Sequence, residues 1–247
     1  QAAVSEPDVN ILAVQGPQSF KLMEKAIGKK ITKLKFFGFD YFTFKGNKFF
    51  IARSGWSKQG GYEIYVENRD VGLNLYDELF SAGKEFNVKP GCPNLIERIE
   101  SALLSCGNDF DNGDNPYECG FDKYIDIKSD INFLGKKVLI KISKEGIKRK
   151  LVGIEILGES ITKIVPPTYT PGYFVPDHWP IDDGEENEIG YVTSKCFSPR
   201  LEKNIAYAFI PIEHADKGSR FFINSPYGKL ESVVVDLPFW DPKKQIP

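Results

Sequence analysis

Apolar positions follow two rhythms along this chain, one mixed and one strand-like. Near the start, the apolar run Ile11-Leu-Ala-Val14 reads as a buried strand, which Gly16-Pro17 then breaks. Phe20, Met23 and Ile27 recur at helical spacing up to Gly28. Residues 39–44 and 48–53 flank Lys45-Gly46-Asn47, the arrangement of two strands around a hairpin turn. Across residues 62–66, alternation puts Tyr62, Ile64 and Val66 on one face. Helices are expected over residues 70–82, with Val71, Leu75, Leu79 and Phe80 as the stripe, and over 93–105, with Ile96, Ile99 and Leu103 turned inward.

The mixture predicts an α+β domain in which two helices cover one side of a small, largely antiparallel sheet. A ferredoxin-like split arrangement is one such solution. Beyond Gly135 the rhythm changes. Residues 136–150 carry seven basic side chains against one acid, Glu145. Short β-rich pieces follow at 151–156, 188–194, 206–211, 220–223 and 231–235, separated by Gly and Pro, the pattern of a compact β-barrel or sandwich. Residues 166–188, rich in Pro and acids, read as a long surface loop whose Tyr173, Phe174, Val175 and Trp179 tuck down onto the barrel. The expected domains are thus 1–135, α+β, and 136–247, a connector and β-barrel.

Composition narrows the classes. A chain of 247 residues with 41% apolar and 27% charged residues can bury a core and is not of disordered type. The 19 Phe, 11 Tyr and 3 Trp supply much of that core and can line a pocket for a flat ligand. A net charge of −2 argues against a general nucleic-acid binder. No stretch is long and apolar enough for a membrane span, and no secretory leader is visible. Cys92, Cys106, Cys119 and Cys196 lack CxxC spacing and have only His178 and His214 beside them, so free structural cysteines in a reducing, cytoplasmic setting are expected and no metal site. The acidic pattern Asp109-Phe-Asp111-Asn112-Gly113-Asp114 lacks the terminal glutamate of a calcium loop. The chain opens on Gln1 with no initiator methionine, which is read as processing, trimming or incomplete representation.

Several segments resemble, in order, the glycine-cleavage T-protein (aminomethyltransferase) superfamily. They are Leu12-Ala-Val-Gln-Gly-Pro17, Arg53-Ser-Gly-Trp-Ser-Lys-Gln-Gly-Gly-Tyr-Glu-Ile64, Arg98-Ile-Glu-Ser101 through Gly107, Asn115-Pro-Tyr-Glu-Cys-Gly120 and Gly190-Tyr-Val-Thr-Ser-Lys-Cys-Phe-Ser-Pro199 with Lys203-Asn-Ile-Ala206. Trp56, the Ser-Lys-Gln after it, Asn94-Leu-Ile-Glu-Arg-Ile-Glu100 and the terminal Val234-Val-Asp-Leu-Pro-Phe-Trp-Asp-Pro-Lys-Lys244 look like the branch that demethylates dimethylsulfoniopropionate. The resemblance implies a folate-binding α+β domain followed by a C-terminal β-barrel, with tetrahydrofolate as cofactor. It implies transfer of a sulfonium methyl group to N5 of tetrahydrofolate. Roughly a hundred family residues would precede Gln1 and hold the catalytic aspartate, so no catalytic acid or base is expected within this chain. Its own N-terminal fragment and a second copy, as a homodimer, stay open as partners, and an aminomethyltransferase or a non-catalytic folate-binding regulatory subunit as alternatives. The cysteine motif of the family's iron–sulfur assembly relative, Lys-Gly-Cys-Tyr-X-Gly-Gln, is not found.

The candidate residues carry two readings each. Glu100 sits beside Ile96, Ile99 and Leu103, where its carboxylate can accept the paired N–H donors of a pterin, as the resemblance implies; otherwise it is a surface glutamate. Glu97 is expected to be solvated or paired with Arg98. Trp56 can cover a flat ligand or face a sulfonium cation, or simply pack. Arg53 can grip a carboxylate or form a structural ion pair, and Tyr62 can join the pocket or the core. Lys58 is assigned to the methyl donor, although with Gln59 it departs from the T-protein pattern. Glu118 and Arg200 are assigned to folate, against a loop-closing bond and a local salt bridge. The basic run 136–150 reads as a solvated connector or as an attractor for a polyglutamate folate tail.

Overall fold

The computed structural model describes residues 2–56, 60–91, 95–164 and 177–243. The chain divides into two compact units, Gln1–Asn94 with Lys243–Pro247, and Leu95–Pro242.

In the first unit, β1 (Asn10–Gln15) leads into α1 (Ser19–Ile27), followed by β2 (Phe39–Phe44), β3 (Asn47–Ala52), β4 (Gly61–Val66) and α2 (Arg69–Ala82). The hairpin between β2 and β3 turns on Lys45 and Gly46, both at positive φ, as the tight mirror-image turns of hairpins require. Asn68 caps α2 by accepting the N–H groups of Asp70 and Val71. Leu22 and Met23 of α1 and Leu75 and Leu79 of α2 meet Phe42, Phe49, Ile51, Tyr62 and Ile64 of the sheet in one apolar core. The sheet order is β1-β4-β3-β2. The expected α+β layering is present, but β1 pairs antiparallel with β4, so the parallel pair of a split β-α-β, and with it the ferredoxin-like order, is absent from this sheet. β1 is also an edge strand: Leu12 and Val14 turn to the core while Ile11 stays exposed. Not every ring goes inward. Phe36, Phe37, Phe39 and Tyr41 remain exposed, and Phe50 stacks edge-on against Tyr41 and Tyr65.

The second unit opens with α3 (Leu95–Glu100) and continues through α4 (Lys136–Glu145), β5 (Arg149–Ile156), α5 (Ile161–Ile164), β6 (Trp179–Asp182), β7 (Glu188–Ser198), β8 (Lys203–Pro211), β9 (Arg220–Ser225) and β10 (Gly228–Val235). Its six strands close an antiparallel barrel in the order β10-β5-β8-β7-β6-β9. Closure leaves no free sheet edge and buries Ile154, Trp179, Ile181, Val192, Ala208 and Ile223 inside. β6 lies within the stretch read as a loop; its Trp-Pro-Ile-Asp sequence is too short to show alternation, yet it bridges β7 and β9. Trp179 is tucked into the barrel as expected, whereas Tyr173, Phe174 and Val175 lie outside the described residues. The basic run is a helix, α4, with no buried side chain, followed directly by β5.

The helix expected over 93–105 extends only to Glu100. Ala102 adopts φ 56, and the N–H groups of Leu103 and Ala102 bond the carbonyls of Arg98 and Ile99. This double closure ends helices even without the usual glycine. Outside the barrel, Ile99 packs against Cys196, Ile205, Tyr207 and Phe209, which docks α3 on β7 and β8.

Candidate functional site

Glu100 occupies the last position of α3 and is 2% exposed. Its Oε1 accepts a hydrogen bond from Ser198 Oγ at 2.5 Å, and that hydroxyl oxygen in turn accepts the Leu201 N–H at 3.0 Å. Arg200 Nη1 lies 3.1 Å from Oε2, while its Nη2 lies 3.6 Å from Glu97 Oε1. One guanidinium therefore faces two carboxylates. The same guanidinium stands 4.9 Å over the Trp240 ring, and the Trp240 backbone N–H donates to the Glu100 carbonyl at 2.8 Å. Although Arg200 stands close, no donor is aligned for a hydrogen bond with the buried Oε2. A carboxylate offers about four acceptor positions. Glu100 has thus been desolvated without filling its capacity, which is costly unless a further donor arrives.

Burial pushes the Glu97 carboxyl up; Arg200 opposes that shift and Glu100 adds to it. The expectation that Glu97 is solvated or paired with Arg98 is corrected here: Arg98 turns the other way. Residues two apart on a helix point about 200° from one another, so Arg98 and Glu100 reach opposite flanks of α3. Arg98 is ion-paired with Asp109 and donates to Ser194 Oγ at 2.6 Å. Asp109 also accepts the Ser105 N–H at 2.8 Å and the Thr193 hydroxyl at 3.0 Å. Tyr207 Oη donates to the Ile99 carbonyl at 2.8 Å. These bonds fix the short helix, and hence the Glu100 carboxylate, to β7 and β8.

Of the other candidates, Glu118 sits 3.4 Å from Arg149 Nη2 and accepts the Asn115 N–H at 3.4 Å, while its carbonyl takes the Leu151 N–H at 2.8 Å. It closes its own loop onto β5. Arg149 is shared with Asp114 at 2.5 Å and lies 4.7 Å over Phe209. Asp109, Asp111, Asp114, His178 and Tyr191 line a small cleft on this side of the barrel, and Glu100 is not among its walls.

Three candidates lie in the first unit. Tyr62 is fully buried, its ring 5.5 Å edge-on from Phe20 and its hydroxyl 3.5 Å from the Ile31 carbonyl. Burial raises its pKa, with the Arg53 charge acting against the shift. Arg53 donates to the Leu34 carbonyl at 3.0 Å and lies 4.7 Å over the same Phe20. Trp56 is 38% exposed. Lys58 falls outside the described residues. Beneath this loop, the Gln15 side-chain amide donates to the carbonyls of Ser54 at 3.0 Å and Tyr62 at 3.2 Å.

Sequence reasoning brought Glu100 and Arg200 forward but not what joins them. Ser198 and Trp240 stood only as marks of resemblance, and Asp109 only as part of an acidic pattern. Spacing gives no sign that Arg98 and Asp109 neutralise each other, because the loop between them sets their distance.

Two family models match successive parts of the chain, the first of them running past Asn94 into the second compact unit. The GCVT N-terminal domain matches residues 2–129, and the glycine cleavage T-protein C-terminal barrel domain matches residues 149–241. The dimethylsulfoniopropionate demethylase DmdA of Ruegeria pomeroyi is 39% identical over 238 residues, 96% of this chain and 61% of that protein. An aminomethyltransferase of Caldanaerobacter subterraneus is 32% identical over 233 residues, 93% of this chain and 58% of its own length. The crystal structure of the glycine cleavage system aminomethyltransferase T from Bartonella henselae shares the fold, with a TM-score of 0.71, at 23% identity, covering 93% of this chain and 59% of that one. The chain spans about three fifths of the length of these relatives.

Proposed function

The chain belongs to the glycine cleavage T-protein family, and from that premise we propose that it is the folate-binding portion of a tetrahydrofolate-dependent one-carbon transferase. Within that class we assign it the transfer of a sulfonium methyl group, that of dimethylsulfoniopropionate, to N5 of tetrahydrofolate. The observation that carries the folate reading is the Glu100 carboxylate, buried and with no donor aligned on its Oε2. A pterin presents adjacent N–H and amino donors, which a carboxylate accepts as a pair. The residues present therefore fit the group.

Tetrahydrofolate, when bound, supplies a nucleophilic nitrogen. Glu100 accepts the pterin donors, and Ser198 keeps the carboxylate turned toward them. Arg53 and Tyr62 in the first unit and Glu118 in the second are the further residues assigned to folate; Tyr62 acts from the buried strand β4, and Glu118 holds its own loop closed. Trp56 offers an exposed ring whose face attracts an onium cation, and Lys58, two residues on in sequence, is assigned to the same donor. Transfer between two held reactants needs alignment at about 3–3.5 Å more than it needs an acid or base. Positive charge leaves sulfur during transfer, so a neutral aromatic neighbour suits the donor better than a strong anion, which would favour the ground state. The 39% identity to a dimethylsulfoniopropionate demethylase supports this donor over an aminomethyl one.

The test offers the intact protein tetrahydrofolate with dimethylsulfoniopropionate, and separately with an aminomethylated lipoyl carrier. Methylmercaptopropionate and 5-methyltetrahydrofolate are expected from the first mixture. Turnover only in the second moves the protein to aminomethyl transfer, and folate binding without turnover in either leaves a binding subunit.

A further inference from the structure

Residues 120–150, all of them described, include no buried side chain. Short-range bonds shape the stretch from within: Asp126 accepts the N–H groups of Lys128 and Ser129, and the Lys136 ammonium donates to the Ile131 carbonyl at 2.9 Å. Tyr124, Ile131, Leu134 and Val138 are exposed, Leu134 completely. Leu134, Val138 and Ile142 recur at steps of four residues, which puts Val138 and Ile142 on one face of α4. Lys137, Lys141 and Lys144 line one flank of that face. Among the described residues, no other helix or strand packs closely on α4. Ten residues are too few for a helix to persist in water by itself. An apolar row left open beside a basic flank marks a contact surface.

We propose that α4 and the turn before it are the docking face for the two fifths of a T-protein family member that this chain does not span. This needs only family membership; neither the folate nor the methyl-donor reading enters. The match to the demethylase covers 96% of this chain, so it runs through this stretch, and the rest of that protein lies outside the match. The family models match up to residue 129 and again from residue 149, so α4 lies inside one family protein, between its two recognised domains. Its cover is therefore expected within the same protein and not from a foreign partner. The chemistry that fits is an apolar patch rimmed by carboxylates, set against Lys137, Lys141 and Lys144.

The test co-expresses this chain with the part of the Ruegeria pomeroyi demethylase that it does not match. A one-to-one complex is expected by native mass spectrometry, with the α4 amides exchanging about tenfold or more slowly than in the chain alone. Leu134→Asp combined with Val138→Asp is expected to abolish the complex and leave the melting temperature of the chain alone unchanged, since both side chains are exposed. No complex, a complex that survives the double substitution, or one that leaves α4 exchange unchanged overturns the proposal. So does a dimer of this chain alone that the substitution breaks, which makes a second copy the occupant. Sedimentation with phosphatidylserine vesicles, lost in the same variant, overturns it in favour of a lipid surface.

Discussion

Arg98 and Asp109 form an ion pair in which neither side chain keeps any solvent exposure. Removing two charges from water is unfavourable unless the pair and its remaining hydrogen bonds are well made. Here Ser194, Thr193 and the Ser105 N–H add hydrogen bonds to it. Because Arg98 lies two residues before Glu100, the pair anchors the helix that carries the candidate ligand. Asp109→Asn leaves a buried guanidinium without its counter-charge and should cost about 3–5 kcal/mol in chemical denaturation. Folate affinity should fall with it. A stability change within 1 kcal/mol would mean that the two groups do not depend on one another.

Glu100→Gln should weaken tetrahydrofolate binding by about 1.5–3 kcal/mol, the worth of hydrogen bonds to a charged group. Ser198→Ala, which removes the donor at Oε1 together with the acceptor of the Leu201 N–H, should cost about 1 kcal/mol of binding. Its effect should disappear in the Glu100→Gln background, because the hydroxyl acts through the carboxylate. Additive losses would place Ser198 in contact with the ligand instead.

The elements that sequence exposed best were those whose periodicity spans a full face. The helix over 70–82 and the hairpin around Lys45-Gly46-Asn47 are of that kind. The helix ending at Glu100 was overextended, since Leu103 and Leu104 continue the apolar pattern although Ala102 has already turned the chain. β6 escaped notice because four residues with a proline carry no readable period. Glu100 itself was legible as a buried-edge acid within a familiar string. Its partners Ser198, Arg200 and Trp240 lie roughly a hundred or more residues away, and only closure of the barrel brings them to it.

Gly61 offers a test of the loop that bears Trp56. Its φ is 153, and a β-carbon there would lie 2.3 Å from the Val14 carbonyl oxygen and 2.8 Å from the Gln15 amide. Gly61→Ala must therefore push β1 off β4 or displace the amide that holds Ser54 and Tyr62. The expected loss is about 2–3 kcal/mol, combining strain with broken hydrogen bonds. Amide hydrogen exchange should show it first along β1. Unchanged protection there would mean that the strand pair absorbs the extra carbon.

Lys195 predicts a pH dependence that runs opposite to that of an ordinary surface lysine. Its side chain is buried in β7, its ammonium donates to the carbonyls of Asp177 and Thr193, and it stands 4.3 Å over Trp179. Burial lowers its pKa from 10.5 to about 7, with the Asp177 charge resisting the shift. Below about pH 7 both folded and unfolded chains hold the proton, and the full penalty of a buried ammonium is present. Between about 7 and 10.5 the unfolded chain binds more protons than the folded one, so stability rises with pH. Burial raises the Cys196 thiol and the Tyr207 phenol, and these groups reverse the trend once their unfolded forms ionise, above about 8.5 for a thiol. The informative window is therefore pH 6.5 to 8.5, across which the lysine contributes up to about 2 kcal/mol. Lys195→Met should remove this rise and stabilise the chain at the acidic end, where the parent bears the charge. A mutant whose denaturation midpoint keeps the parent's pH slope would assign that slope to another group.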